Sequence, residues 1–115
     1  MSSFKKAKTF EDRQSLANKH RKEHPEKVPV IVEPGKGEKR FVKHDKMLVP
    51  GDSTMAVLTN NIRLELQLLP NEALFFMVDG DKMAVLSSTV EEVYQQYKDA
   101  DGHLYVNYYA ENVFG

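Results

Sequence analysis

The stretch from Met55 to Gly80, MAVLTNNIRLELQLLPNEALFFMVDG, carries two hydrophobic patterns that decide the fold. In its first part, apolar residues recur every three or four positions, which is the period of one helix face. These residues are Met55, Leu58, Ile62, Leu66 and Leu69. In its second part, Leu74 to Val78 is an unbroken apolar run, and Asp79-Gly80 is a hairpin turn signal. The stretch therefore predicts a central core helix, closed at Pro70-Asn71, followed by a buried strand.

Strand signals flank this stretch on both sides. Upstream, the β-branched run Val28 to Val32 ends at a Pro and Gly turn cluster, and a second short strand is predicted over Lys46 to Val49. Asp52 or Ser53 is then expected to cap the core helix. Downstream, the pattern predicts a short return strand over Lys82 to Val85 and a last strand over Leu104 to Ala110.

Two further helices are predicted outside the core helix. Thr9 and Asp12 form a capping-box pattern that opens a helix running to Glu23, before Pro25. Because its best stripe is poorly apolar, we expect this helix to lie on the main core without forming part of it. Ser88 is expected to cap a short helix with the apolar stripe Val90, Val93, Tyr94 and Tyr97. Residues 1–8 are interpreted as a mobile or lightly packed arm.

The order of these elements describes an α+β fold of the β-grasp type. Two hairpins lie on either side of a crossover helix, which places the first and last strands parallel in the middle of the sheet. Pro29 has no backbone N–H to donate to a neighbouring strand. We therefore expect it at a position of the ladder where no hydrogen bond from that residue is needed.

Composition limits the chain to one domain in a reducing compartment. The 115 residues are 41% hydrophobic and include no cysteine, which excludes a disulfide framework and cysteine chemistry. The longest apolar run, Ala73 to Val78, is too short to cross a bilayer. A cytoplasmic protein is therefore expected, with any membrane contact peripheral or covalent.

Charge is divided unevenly along the chain. Residues 1–50 carry 13 Lys and Arg against 7 Asp and Glu, whereas residues 51–115 carry 3 against 10. The basic half could contact phosphate, anionic lipid or an acidic peptide. Alternatively, the two halves attract one another across the fold, and the charge counts alone favour neither interpretation.

No motif supports an active site, a metal or a cofactor. His20-Arg21-Lys22-Glu23-His24 matches the H-x-x-E-H pattern of some zinc hydrolases, but Pro25 follows directly and no third ligand is evident. Gly35-Lys36-Gly37 is a flexible turn, because no helix begins after it to bind a phosphate. Nucleic-acid binding is disfavoured, since no aromatic ladder is interleaved with the basic residues.

Two features favour a binding module instead. The short strand Lys46 to Val49 is predicted to be a sheet edge, which can accept an extended peptide as an added strand. The chain ends at Gly115, and a glycine carboxylate can pass through a narrow enzyme channel because it has no β-carbon.

Five blocks of sequence carry a family resemblance. They are VPVIVE at 28–33, KMLVP at 46–50, ALFFMV at 73–78, DGHLYV at 101–106 and ENVFG at 111–115. In this order they are similar to the ubiquitin-like autophagy modifiers of the GABARAP and light-chain-three family, and the likeness runs from Thr9 to Gly115. The resemblance implies a ubiquitin-like β-grasp with two additional N-terminal helices. It divides the chain into a helical extension (1–25), the β-grasp domain (26–110) and a flexible tail (111–115).

The resemblance also implies a function for Gly115. In this family the terminal glycine is joined to phosphatidylethanolamine on autophagosomal membranes by activating and conjugating enzymes, and a cysteine protease exposes the glycine and later removes the lipid. The protein would then be a substrate and not an enzyme, a monomer in the cytoplasm and membrane-bound when lipidated.

The family binds cargo receptors through an aromatic-x-x-aliphatic motif added to the second strand. By position, Lys46, Met47 and Leu48 would form that strand. The aromatic pocket would be lined by Pro29, Ile31, Leu48, His20 and His103. The aliphatic pocket would be lined by Val49, Pro50, Leu58 and Ile62. Acidic residues of the motif would meet Lys27, Lys46 and Arg63.

Several positions depart from the family pattern. His20 and His103 stand where the family has large apolar side chains, and Ser53 and Asn61 replace apolar residues near the second pocket. We therefore expect a divergent member with more polar pockets, whose peptide affinity falls as the pH drops through about 6.5. The alternative function is a ubiquitin-like adaptor that binds peptides and is never conjugated.

Overall fold

A five-stranded mixed sheet forms the centre of the protein, as seen in a computed structural model that describes residues 2–112. The strands are β1 (Lys27–Pro34), β2 (Lys46–Pro50), β3 (Glu72–Val78), β4 (Lys82–Met83) and β5 (Leu104–Asn112). Their spatial order is β2-β1-β5-β3-β4, with β1 parallel to β5 and the other neighbours antiparallel. The predicted α+β β-grasp, with its first and last strands paired at the centre, is confirmed.

Four helices accompany the sheet: α1 (Ser3–Ala7), α2 (Phe10–Glu23), α3 (Met55–Leu66) and α4 (Val90–Tyr97). The hydrophobic core joins α3 and α4 to one face of the sheet, through Val28, Val30 and Val32 of β1. Residues Leu104, Val106 and Tyr108 of β5 face the same core, as their alternation predicts. The opposite face of the sheet is left to α1 and α2.

Residues 2–8 differ from the expected loose arm. Residues Ser3–Ala7 form α1, which Ser2 caps by accepting a hydrogen bond from the Lys5 amide, and Phe4 is buried. The Phe4 amide donates to Glu33 Oε2 over 3.1 Å, which ties the helix to β1. The two added N-terminal helices are therefore confirmed, and the expectation of an arm is wrong.

Two helix caps lie one or two residues later than predicted. Thr54 caps α3 in place of Asp52 or Ser53, and Thr89 caps α4 through a complete capping box with Glu92 in place of Ser88. The core helix also ends at Leu66, since Gln67 is left-handed there, and Leu69 is exposed. At the C-terminus, Glu111 and Asn112 belong to β5 and not to the expected tail, and residues 113–115 lie outside the described residues.

Ion pairs within the fold join the basic first half of the chain to the acidic second half. Four ion pairs each join a basic residue of the first half to an acidic residue of the second. They are Lys5–Asp99, Arg13–Asp101, Arg21–Glu91 and Arg40–Glu72. The interpretation in which the two halves attract one another is thus confirmed for these residues.

Within residues 2–112, none of the helices combines the length and hydrophobicity needed to span a membrane.

Candidate functional site

The outer edge of β2 is free to accept another strand. Strand β2 pairs with β1 alone among the described strands, and the Val32 amide donates to the Asp45 carbonyl at 2.7 Å. The alternation of an antiparallel ladder then turns the backbone groups of Lys46 and Leu48 away from β1. An extended peptide can hydrogen-bond to these groups, as the edge prediction required.

The same alternation explains why a proline is tolerated at position 29 of β1. It lies opposite Leu48, at a position of the ladder where neither residue bonds to the other strand. The missing N–H of Pro29 therefore leaves no partner of β2 unsatisfied.

The predicted aromatic pocket lies on the sheet face that carries α1 and α2. Pro29 and Ile31 of β1 are buried there, beside Leu48 and Lys46 of β2, which are their cross-strand neighbours. His103, just before β5, is 2% exposed, and His20 of α2 is half-buried. The structure therefore brings the predicted pocket residues to one side of the sheet.

Phe4 is a site residue that the sequence analysis missed. Its ring centroid lies 5.1 Å from that of His103 in an edge-to-face arrangement, and the Lys46 ammonium lies 5.8 Å from the Phe4 ring centroid. Phe4 thus contacts both His103 of the predicted aromatic pocket and Lys46 of the predicted peptide-binding strand. An incoming aromatic side chain has to pack against Phe4 or displace it, so α1 takes part in whatever this face binds.

The buried carboxylate of Asp101 holds together the elements that form this face. Asp101 is fully buried and receives hydrogen bonds from Arg13 Nε at 2.8 Å, the Tyr105 hydroxyl at 2.5 Å and the His103 amide at 2.9 Å. Its Oδ1 also lies 3.3 Å from His103 Nδ1. Lys5 of α1 contacts the neighbouring Asp99 at 2.6 Å. This acidic turn therefore fixes α1, α2 and the start of β5 together.

Burial and hydrogen bonding set the protonation states in this cluster. Burial lowers the pKa of His103, although the Asp101 carboxylate opposes that shift. Burial alone would raise the pKa of Asp101, but hydrogen bonds from Tyr105, the His103 amide and Arg13 outweigh it and leave the pKa lowered. His103 is thus neutral and Asp101 charged at neutral pH.

The lowered pKa of His103 makes the fold sensitive to acid. An unfolded histidine takes up its proton near pH 6.5, whereas the folded His103 resists it, so the unfolded state binds more protons below about pH 6.5. We expect the free energy of unfolding to fall below that pH, with a slope of at most about 1.4 kcal/mol per pH unit from this residue. Urea titrations between neutral and acidic pH measure the slope.

Two histidine variants isolate this effect. Replacing His103→Phe removes the titrating group and should flatten the slope, whereas His24→Gln, at the partly exposed end of α2, should retain it. Equal slopes in the two variants would contradict the role of His103. Peptide binding is also expected to depend on pH. The part of that dependence that comes from His103 is expected at a lower pH than an ordinary histidine would give, because the pKa of His103 is lowered.

Three residues of the predicted aliphatic pocket are buried. Val49, Leu58 and Ile62 belong to the hydrophobic core and are at most 6% exposed. Of the residues near them, Pro50 is exposed and Met47 is half-buried. Leu58 and Ile62 are therefore brought to the core beneath the β2–α3 junction and not to an open surface.

Of the remaining predicted residues, Lys27 is the cross-strand neighbour of Pro50, and Arg63 lies at the end of α3. Arg63 donates to the carbonyls of Leu69 and Glu72, which holds its guanidinium at the turn between α3 and β3. Lys27 is half-buried at the start of β1. Gly115, the predicted conjugation site, lies outside the described residues.

The H-x-x-E-H pattern does not form a metal site in the described part of the chain. No three His, Asp or Glu side chains among residues 2–112 are grouped so that they could hold an ion. His24 instead terminates α2 and lies 3.8 Å from Glu26.

Comparisons with known proteins agree with this geometry. A family model described as "Autophagy protein Atg8 ubiquitin like" matches residues 12–115. Autophagy-related protein 8 of Mycosarcoma maydis is 35% identical, covering 99% of this chain and 97% of the relative. Protein lgg-2 of Caenorhabditis elegans is 37% identical, covering 98% and 88%.

A solved structure extends the agreement to three dimensions. The crystal structure of Trypanosoma brucei ATG8 superimposes with a TM-score of 0.89 at 36% identity, and the match covers 100% of this chain and 99% of that one. The chain therefore belongs to the Atg8 family of ubiquitin-like autophagy proteins.

Proposed function

We propose that this protein is a ubiquitin-like modifier that is attached through Gly115 to phosphatidylethanolamine on autophagosomal membranes. The observation that carries the proposal is the extent of the family match, which continues past the described residues to Gly115 itself. Full-length relatives at about a third identity share this continuity. The attached protein would support autophagosome formation and recruit cargo receptors, and the free protein would be cytoplasmic.

The chemistry needs only a free carboxylate from this chain. The Gly115 carboxylate attacks the α-phosphorus of ATP on an activating enzyme, which releases pyrophosphate and leaves an acyl adenylate. A cysteine thiolate displaces AMP to form a thioester, which passes to a conjugating enzyme. The lipid amine then attacks the thioester carbonyl, releases the thiol and forms an amide. The protein supplies the acyl group, and the enzymes supply the catalytic residues.

Formation of the enzyme thioester tests whether the chain is activated at all. The protein is incubated with ATP and the cognate activating enzyme, and the adduct is resolved without reducing agent. We expect an adduct that a thiol reductant cleaves, and none from a chain that lacks Gly115. The absence of the adduct with an enzyme that activates another Atg8 protein would favour the alternative, a peptide-binding adaptor that is never conjugated.

The proposed receptor-binding surface is the free edge of β2. A peptide strand would hydrogen-bond to the backbone of Lys46 and Leu48, and its aromatic side chain would pack on the face formed by Pro29, Ile31 and Phe4. The exposed ammonium of Lys46 is available to an acidic residue of the motif. We propose that the aliphatic residue of the motif binds at the exposed Pro50 and the half-buried Met47, above the buried Val49, Leu58 and Ile62.

A negative charge at the β2 edge should weaken binding of the peptide. Leu48→Glu places a carboxylate on the apolar face and is expected to raise the Kd for an acidic aromatic-x-x-aliphatic peptide by about tenfold or more. The matched control is Met83→Glu, on the exposed strand at the opposite edge of the sheet, which should leave the Kd within about twofold. Fluorescence anisotropy with a labelled peptide measures both.

Hydrogen exchange locates the added strand independently. The Lys46 and Leu48 amides should become protected when the peptide binds, while the β4 amides do not change. Protection at β4, or equal losses of affinity in the two variants, would overturn the assignment of the β2 edge.

A further inference from the structure

The loop between β1 and β2 presents an unbalanced cluster of cations. This basic loop, residues 35–45, contains four Lys and Arg residues and two acidic ones, Glu38 and Asp45. The cations are Lys36, Lys39, Arg40 and Lys43. Arg40 pairs with Glu72, but the ammonium groups of Lys36, Lys39 and Lys43 contact no carboxylate among the described residues. All three lysines are exposed.

One acid of the loop is turned inward. Glu38 Oε1 accepts from the Ala110 amide at 2.7 Å, and Oε2 accepts from the amides of Lys39 and Arg40. The Glu38 carboxylate is therefore hydrogen-bonded to the loop backbone and to β5. Asp45 is the only exposed carboxylate left on the loop, so the outer surface is net positive.

Phe41 projects from the middle of this surface and is 76% exposed. It is held there by its neighbours, because the Tyr108 hydroxyl donates to the Arg40 carbonyl at 2.5 Å and accepts from the Val42 amide at 3.1 Å. A fixed backbone on both sides keeps the ring pointing outward. The exposed ring lies among the exposed lysines, so the loop presents an apolar group and positive charge on one surface.

The same end of the molecule carries the exit of β5. Arg40 pairs with Glu72, whose strand partner is Asn112, the last described residue. The exposed Leu69 lies at this end too, because its carbonyl accepts from the Glu72 amide. Gly115 follows Asn112 by three residues, which span at most about 11 Å. A lipid joined to Gly115 would therefore hold this end of the protein close to the bilayer.

We propose that the basic loop is a bilayer-docking surface, in which Phe41 enters the interface of an anionic membrane while Lys39 and Lys43 meet lipid phosphates. Aromatic rings favour the headgroup region, and lysines near it are attracted by the anionic surface. This orientation rests on the proposed attachment through Gly115, and the test below separates the two.

The sequence permits a test that bypasses the enzymes. Because the chain has no cysteine and no tryptophan, Gly115→Cys can be coupled to vesicles that contain a maleimide lipid, and Phe41→Trp supplies a single fluorophore. The matched control is Val85→Trp, which is 61% exposed but lies near the start of α3, where the Ala56 amide bonds to the Leu86 carbonyl. The length of α3 places it about 18 Å from the opposite end of that helix.

On phosphatidylserine-containing vesicles we expect the emission of Phe41→Trp to shift to the blue and to be quenched by brominated lipid, with neither change for Val85→Trp. Reversing two charges in Lys39→Glu and Lys43→Glu should lower the inserted fraction by about tenfold or more, since each cation near such a surface contributes about fivefold. Lys19→Glu and Lys22→Glu, exposed on α2, are the charge-matched control and should have little effect.

The proposal is overturned if the tethered Phe41→Trp protein shows solvent-exposed emission on anionic vesicles, or if Val85→Trp is quenched equally. Because the tether is chemical, either result leaves enzymatic conjugation unaffected. Conversely, a failure of the enzymes to lipidate the chain would not alter the quenching result.

Discussion

Replacing Asp101→Asn is expected to lower the free energy of unfolding by about 3–5 kcal/mol, because it leaves a buried cation without its partner. The Arg13 side chain is 11% exposed and Asp101 is 0% exposed, so water cannot replace the lost carboxylate. Both carboxylate oxygens of Asp101 accept hydrogen bonds. Oδ2 accepts from Arg13 and Tyr105, and Oδ1 accepts from the His103 amide. An asparagine offers one acceptor and turns an NH2 group toward the remaining donors.

An exposed ion pair provides the comparison for this prediction. Asp79→Asn removes the partner of Lys82, where both side chains are at least half exposed, and should cost less than about 1 kcal/mol. Urea unfolding of both variants at neutral pH gives the two values. Similar losses in the two variants would show that the buried cluster is not what fixes α2 to β5.

Substitution of the last residue should have the largest functional effect. Gly115→Ala adds a β-carbon next to the reacting carboxylate, and a channel that admits only glycine excludes it. We expect complete loss of lipid attachment, with peptide binding at the β2 edge unchanged because that edge belongs to the folded domain. The comparison separates the modifier from an adaptor, since an adaptor would not depend on Gly115. Attachment of the alanine variant at the normal rate would contradict the steric role.

Much of the fold was predictable because its patterns are local. The period of Met55, Leu58 and Ile62 identified the crossover helix, and Asp79-Gly80 identified the turn after β3. The β2 edge also followed from a short strand beside a long loop. These features depend on neighbouring residues, which sequence patterns describe well.

The misplaced caps have a tertiary cause. Thr54 and Thr89 form an antiparallel bridge, in which the Met55 amide donates to the Ser88 carbonyl and the Val90 amide donates to the Ser53 carbonyl. Each helix start is thus fixed by the other, and local sequence favours Ser53 and Ser88 equally well as caps. Such reciprocal pairing has no signal in either segment alone.

The part of the candidate site contributed by α1 could not be predicted for a similar reason. Phe4 is one apolar residue in a short basic segment, and its burial depends on Glu33 and His103, which are distant in sequence. A helix as short as α1 is unstable by itself and forms here because it is docked. The burial of Leu58 and Ile62 was equally hidden, since it depends on how α3 packs against β2.

The mass of the protein after the complete conjugation reaction shows whether Gly115 is joined to the lipid. The chain and its Gly115→Ala variant are incubated with ATP, the cognate activating and conjugating enzymes, and liposomes containing phosphatidylethanolamine. We expect a gain equal to one phosphatidylethanolamine less one water, in the unmodified chain alone. An unchanged mass, with enzymes that lipidate another Atg8 protein in the same mixture, would contradict it.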